Sequence, residues 1–130
     1  MCKITTKTIY NKLTKDEKKW LCPDGKWSEI ADDKVIYKEV SKKGFIEAYN
    51  TGIIEDAVYF DIAVVKEHRQ EGLASKMFNN MVECLKEKNF TTIFTYVHKD
   101  NDPSYWMLDK FGFEIIGKCD DMWKLKLQVA

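Results

Sequence analysis

A mixed α/β fold is predicted by three stretches of the sequence. Ala57 to Val65 is an almost unbroken apolar run, which reads as a strand covered on both faces. After it, apolar pairs recur every four residues, at Leu73/Ala74, Met77/Phe78 and Met81/Val82, with Leu85 next. That stripe marks a helix packed on a sheet. Thr91 to Val97 is a second strand rich in β-branched and aromatic residues. Because a helix separates the two strands, they should lie parallel, joined by a right-handed crossover.

Ile4 to Tyr10, rich in Thr and Ile, reads as an opening strand. Thr14, with Glu17 three residues on, matches a capping box for a short helix carrying Trp20 and Leu21. Pro23-Asp24-Gly25 is a turn signal, and Trp27 and Ile30 are expected to anchor a further helical turn. Val35–Val40 and Phe45–Tyr49, separated by Ser41-Lys42-Lys43-Gly44, read as an antiparallel hairpin. Asn101-Asp102-Pro103-Ser104 starts a last helix, which stops at Gly112. Phe113–Gly117 and the alternating segment around Trp123, Leu125, Leu127 and Val129 supply the final strands.

With 130 residues, one domain is expected, since a chain of this size buries about two-thirds of its unfolded surface. The 21 basic and 21 acidic side chains are interspersed and cancel. That argues against the broad basic field of a nucleic-acid binder. Cys2, Cys22, Cys84 and Cys119 are scattered, without a Cys-x-x-Cys pair and with only two His in the chain, so no metal site is expected. The opening Met1-Cys2-Lys3-Ile4 has no apolar signal segment, which points to a reducing, cytoplasmic setting and four free thiols. No apolar run reaches the length of a membrane span, about 18 residues.

Between the central strand and its helix lies Arg69-Gln70-Glu71-Gly72-Leu73-Ala74-Ser75. A strand that empties through a turn into a helix leaves the first helical N–H groups unpaired at the positive end of the macrodipole. Phosphate suits such a place, and Gly72 and the small Ala74 let a bulky anion approach the backbone. By itself this is a weak signal, because Gly72 also serves simply to start the helix.

From Val58 to Phe113 the sequence resembles the GNAT superfamily of acetyl-CoA-dependent N-acetyltransferases. Arg69-Gln70-Glu71-Gly72-Leu73-Ala74 fits the family's Gln/Arg-x-x-Gly-x-Gly/Ala loop. Val97 followed by Asn101, with Ser104 three residues beyond, fits the end of its second parallel strand, and Lys110-Phe111-Gly112-Phe113 fits its closing Lys-x-Gly-Phe. The resemblance implies a mixed sheet of six or seven strands, splayed at the strand carrying Ile62–Val64 and flanked by three or four helices. It implies acetyl-CoA as cosubstrate. The pyrophosphate would be held by Gln70, Glu71, Gly72, Leu73, Ala74 and Ser75, and the pantetheine arm by Ile62, Ala63, Val64 and Asn101. For Asn101 the alternative role is a plain helix N-cap. Glu71 departs from the family's usual basic or neutral residue, and at about 4 Å in water its repulsion of each phosphate charge is only about 1 kcal/mol.

Transfer to an amine needs a base for the incoming ammonium, a held thioester carbonyl and an acid for the departing thiolate. A backbone N–H of the central strand, at Val64 or Ile62, would hold the carbonyl. The family's usual tyrosine position is Leu108 here, so Tyr105, one turn earlier, is the candidate acid, with packing in the core as its other reading. Asp61 is the candidate base, because a carboxylate inside an apolar strand must face water, a partner or a cleft. A structural, hydrogen-bonded role is the alternative for Asp61. His68 and His98 read as loop-surface residues, with His98, close to the expected active edge, as an alternative participant in the chemistry. Trp20, Trp27 and Tyr49 either line an acceptor cleft or pack between helix and sheet.

The expected function is N-acetylation of a small-molecule or peptide primary amine by direct attack in a ternary complex. An acyl-CoA-binding sensor or interaction module without turnover is the alternative, motivated by Leu108 and Glu71. No nucleic acid, membrane or metal is expected to take part, and a homodimer is a family-level expectation.

Overall fold

The computed structural model describes residues 4–22 and 26–129. Six strands form one sheet in the order β1-β2-β3-β4-β6-β5, comprising β1 (Val35–Ser41), β2 (Gly44–Tyr49), β3 (Ala57–Val64), β4 (Thr92–His98), β5 (Glu114–Cys119) and β6 (Met122–Gln128). The helices are α1 (Thr6–Tyr10), α2 (Lys15–Leu21), α3 (Leu73–Glu87) and α4 (Asp102–Lys110). Only β3 and β4 pair in parallel, with α3 between them in the chain; the other neighbours are antiparallel.

Alternation along the strands sends Ile46, Ala48, Val58, Phe60, Ile93 and Val97 to one face of the sheet. There they meet Met77, Phe78, Met81 and Leu85 of α3 and Leu108 of α4 in the main core. Met77 and Met81, 1% and 0% exposed, fill that core. On the opposite face Phe45 and Val65 pack with Ile9 of α1 in a smaller cluster that Trp27 flanks.

Two expectations at the N-terminus are corrected. Thr6–Tyr10 is a helix, not a strand: the Thr5 side chain accepts from Thr8 N–H while Thr8 reaches back to Thr5 N–H, a capping box that starts the turn. Buried Thr6, Ile9, Tyr10 and Leu13 recur at helical spacing, and that burial outweighs the β preference of Thr and Ile. No second helical turn forms at Trp27 and Ile30; residues 26–30 are irregular. Trp27 stacks on Tyr10 at 5.4 Å and donates its indole N–H to Thr6 Oγ1 at 3.0 Å. The expected capping box of α2 is present, with Thr14 accepting from Glu17 N–H and Glu17 from Thr14 N–H. The turn at Pro23-Asp24-Gly25 and the Cys2 thiol lie outside the described residues; Cys84 and Cys119 are free thiols.

Candidate functional site

The site begins where β3 and β4 part. Their parallel pairing runs only from Ala57/Thr92 through Val58/Ile93 to Tyr59/Phe94, although β3 continues to Val64 and β4 to His98. At the fork the buried Thr95 hydroxyl donates to the Phe60 carbonyl at 3.1 Å, so a side chain replaces a ladder bond. Beyond it the facing edges of the two strands diverge, and backbone polar groups there need a partner other than the neighbouring strand.

A cleft of about 250 Å³ occupies the opening. Its floor is Asp61, Ile62 and Ala63 of β3 with Thr95, Tyr96, Val97 and His98 of β4; α2 covers it with Glu17, Trp20 and Leu21. Asn101, Ser104, Met107 and Leu108 close it from α4. An adjoining hollow of about 340 Å³ shares Tyr96 and His98 with it and runs between Lys19 of α2 and residues 119–122 of the β5–β6 turn.

Asp61 is half-buried in the floor. Burial, and then the charge of Glu47 on β2, push its carboxyl up to about 7. His98 is no loop-surface residue: it ends β4, is buried, and stacks on Trp20 with ring centroids 6.4 Å apart. Its Nδ1 accepts the Asp100 N–H at 3.1 Å, which places the proton of the neutral ring on Nε2. His68, in the short 3₁₀ turn Lys66–His68, has its Nδ1 3.2 Å from Glu71.

Arg69 links two walls of the cleft. Its Nε donates to the Val64 carbonyl at 3.0 Å, and its guanidinium pairs with Glu17 on α2. Burial raises the Glu17 carboxyl, but the Thr14 N–H and Arg69 outweigh that and hold it low. The loop beyond Arg69 is exposed, with Gln70 at φ 65° and Gly72 at φ 79°. No side chain caps α3 and its first turn carries no acid, so the first amides of this helix have no side-chain partner. A Cβ at Gly72 would meet nothing within 4 Å. Glu71 is held by His68 and by Lys43 Nζ at 3.5 Å, and these partners keep its carboxyl low.

Among the expected site residues, Asp61, Ile62, Ala63 and Asn101 line one cleft, and Gln70 to Ser75 form the loop and first turn at its side. Val64 offers its carbonyl to Arg69. Asn101 is also the N-cap of α4, its side-chain oxygen accepting from Ser104 N–H at 3.3 Å. Tyr105 packs against the main core and is not part of the cleft wall, while Leu108 is 3% exposed and contributes to both. Trp20 lines the cleft, whereas Trp27 and Tyr49 pack elsewhere, Tyr49 on Tyr59 at 6.2 Å.

Comparison with known proteins places the chain in a family. The model of the acetyltransferase (GNAT) family matches residues 10–113. The chain belongs to the GNAT family. A Bacillus subtilis protein provisionally assigned as a ribosomal protein bS18 alanine N-acetyltransferase is 31% identical over 81 residues, 60% of this chain and 53% of that protein. The chain therefore matches about half the length of this curated relative. Two solved structures share the GNAT fold. The Thermoplasma acidophilum PaiA N-acetyltransferase, in complex with coenzyme A, has a TM-score of 0.62 and 18% identity over 66% of this chain and 53% of its own. The Escherichia coli ribosomal-protein-S18-alanine N-acetyltransferase has a TM-score of 0.58 and 15% identity, covering 68% and 62%. Among the described residues no cluster of His, Cys, Asp or Glu is arranged to hold a metal ion, and no helix is long and apolar enough to cross a membrane.

Proposed function

We propose that this GNAT protein transfers an acetyl group from acetyl-CoA to a primary amine by direct attack in a ternary complex. The observation that carries this reading is the fork of β3 and β4, which opens on a cleft containing a carboxyl pushed up to about 7. A raised carboxyl near neutrality suits proton transfer from an ammonium better than an ordinary aspartate does.

The residues present fit acetyl-CoA. Uncapped first-turn amides at Leu73, Ala74 and Ser75 behind the left-handed Gly72 suit the diphosphate. The diverging edge at Ile62, Ala63 and Val64 suits the pantetheine amides, which satisfy a strand edge as an added strand does, with Asn101 on the opposite side. Acetyl-CoA supplies the activated acyl group. Asp61 accepts the proton of the acceptor ammonium, a β3 backbone N–H orients the carbonyl, and Trp20, Leu21 and Met107 limit water in the cleft.

The acceptor is a peptide or protein N-terminus reaching the cleft through the hollow beside the β5–β6 turn. The Bacillus subtilis relative, provisionally assigned as an alanine N-acetyltransferase of ribosomal protein bS18, supports this choice. The experiment is thiol release from acetyl-CoA with an alanine-initiated peptide and with the same peptide blocked at its N-terminus. Release with the free peptide alone is the expected result.

A sensor without turnover is the second reading, favoured by the buried Leu108 at the usual tyrosine position and by Tyr105 lying outside the cleft wall. Thermal stabilisation by acetyl-CoA without thiol release across a broad amine panel would select it. Absence of both effects would reject both readings.

A further inference from the structure

Glu47 is the most buried carboxylate among the described residues, 1% exposed, and neither of its oxygens has a hydrogen-bond partner. A buried carboxylate without hydrogen bonds costs stability. Its place in the sheet is specific. Glu47 is the register partner of Asp61 on β3 and of Lys38 on β1. Register partners leave the same face of a sheet with Cβ atoms about 5 Å apart. Lys38 Nζ lies 4.0 Å from Glu47 and 3.3 Å from Glu29, which also accepts the Lys7 N–H at 2.9 Å. A row of alternating charge, Glu29, Lys38, Glu47, thus crosses the sheet and ends behind the carboxyl in the cleft.

We propose that Glu47 is a positioning residue for the acetyl transfer: held beside Lys38 and in register with Asp61, it sets how readily the Asp61 carboxyl takes a proton from the acceptor ammonium. The inference rests on the reading of Asp61 as base. In the step, an N–H bond of the acceptor ammonium breaks, an O–H bond forms on Asp61, and the nitrogen keeps the electron pair with which it attacks. An isolated aspartate is a poor match for that proton, while one facing a second carboxyl, with which it shares negative charge, is a better one.

The other groups around Asp61 do not supply this charge. Glu17 and Arg69 pair with each other. Burial pushes the Tyr49 phenol up, and His98 has its Nδ1 engaged by a backbone N–H. Glu47 is itself pushed up by burial, against the pull of Lys38, so the two carboxyls titrate as a pair.

The test is a carboxyl ¹³C NMR titration of the apo protein, which needs neither activity nor ligand, paired with kcat/KM against pH for the alanine-initiated peptide. In the wild type the Asp61 carbon should show two inflections, the mark of a coupled pair. In Glu47→Gln it should show one, lower by about one pH unit, and the acid limb of kcat/KM should move down by the same amount. Glu47→Asp, which keeps the charge, should stay near the wild-type limb. An Asp61 titration with one inflection in the wild type, or unmoved in Glu47→Gln, overturns the proposal, and the wild-type curve decides even if the variant does not fold. A moved titration with an unmoved rate profile shows coupling but removes Glu47 from the reaction. Absence of any wild-type turnover rejects the transfer reading itself, and the role of Glu47 with it.

Discussion

Asp61→Asn should make the protein more stable and less active, and the stability gain should depend on pH. Burial and Glu47 raise the Asp61 carboxyl from an ordinary 3.8 to about 7. The folded state therefore holds this proton more tightly than the unfolded state. The cost to folding is absent below about pH 4, grows as pH rises toward 7, and is complete above it. A rise of about three pH units, at about 1.4 kcal/mol each, sets an upper figure of ~4 kcal/mol. Asp61 opens on the cleft, and solvent there tempers the cost to about 2 kcal/mol. An asparagine carries no charge, so the variant escapes that cost. For a chain of this length the gain corresponds to a melting temperature higher by about 6–8 °C at pH 8, and a much smaller gap at pH 4.5. Thermal unfolding of both proteins across that range, without ligand, measures it. A gap that is absent at pH 8, or of similar size at pH 4.5, would refute the account of a carboxyl raised by its surroundings.

Other consequences follow from single contacts. Thr95→Val removes the hydroxyl that serves the Phe60 carbonyl at the fork, and should cost about 1–2 kcal/mol in denaturant unfolding, because the carbonyl stays buried without a partner. Gly72→Ala meets no atom within 4 Å but must hold φ 79°; it should cost about 1 kcal/mol of stability and weaken acetyl-CoA binding in calorimetric titration. Tyr105→Phe should retain most of the thiol-release rate, since the ring packs on the core outside the cleft wall. A loss of about a hundredfold, the scale of removing a general acid, would restore Tyr105 to the chemistry.

The parts of this structure legible from sequence are those whose signal is local and periodic. The apolar run of β3, the four-residue repeat of α3 and the Pro and Gly at the ends of α4 each determine an element within a short window. Asp61 stood out for a similar reason, as one charge in an apolar strand. Glu47 lies between Ile46 and Ala48 in the same way, but in a hairpin strand alternation reads as a face open to water. That face is in fact covered, which leaves Glu47 1% exposed. The pairing of Arg69 with Glu17 is not legible in the sequence, because Glu17 sits on a helix far away in the chain. α1 was missed because composition argued for a strand while the decisive signals were the Thr5–Thr8 box and the spacing of Thr6, Ile9, Tyr10 and Leu13.

The central claim is that the fork and the loop before α3 together bind acetyl-CoA. Backbone amide NMR of the protein titrated with coenzyme A tests it most directly, because it reports on each residue without requiring turnover. Saturable shifts at Ile62–Val64, at Gly72–Lys76 and at Asn101 are the predicted result. No saturable binding at millimolar coenzyme A, or shifts confined to residues away from the fork, would contradict the account.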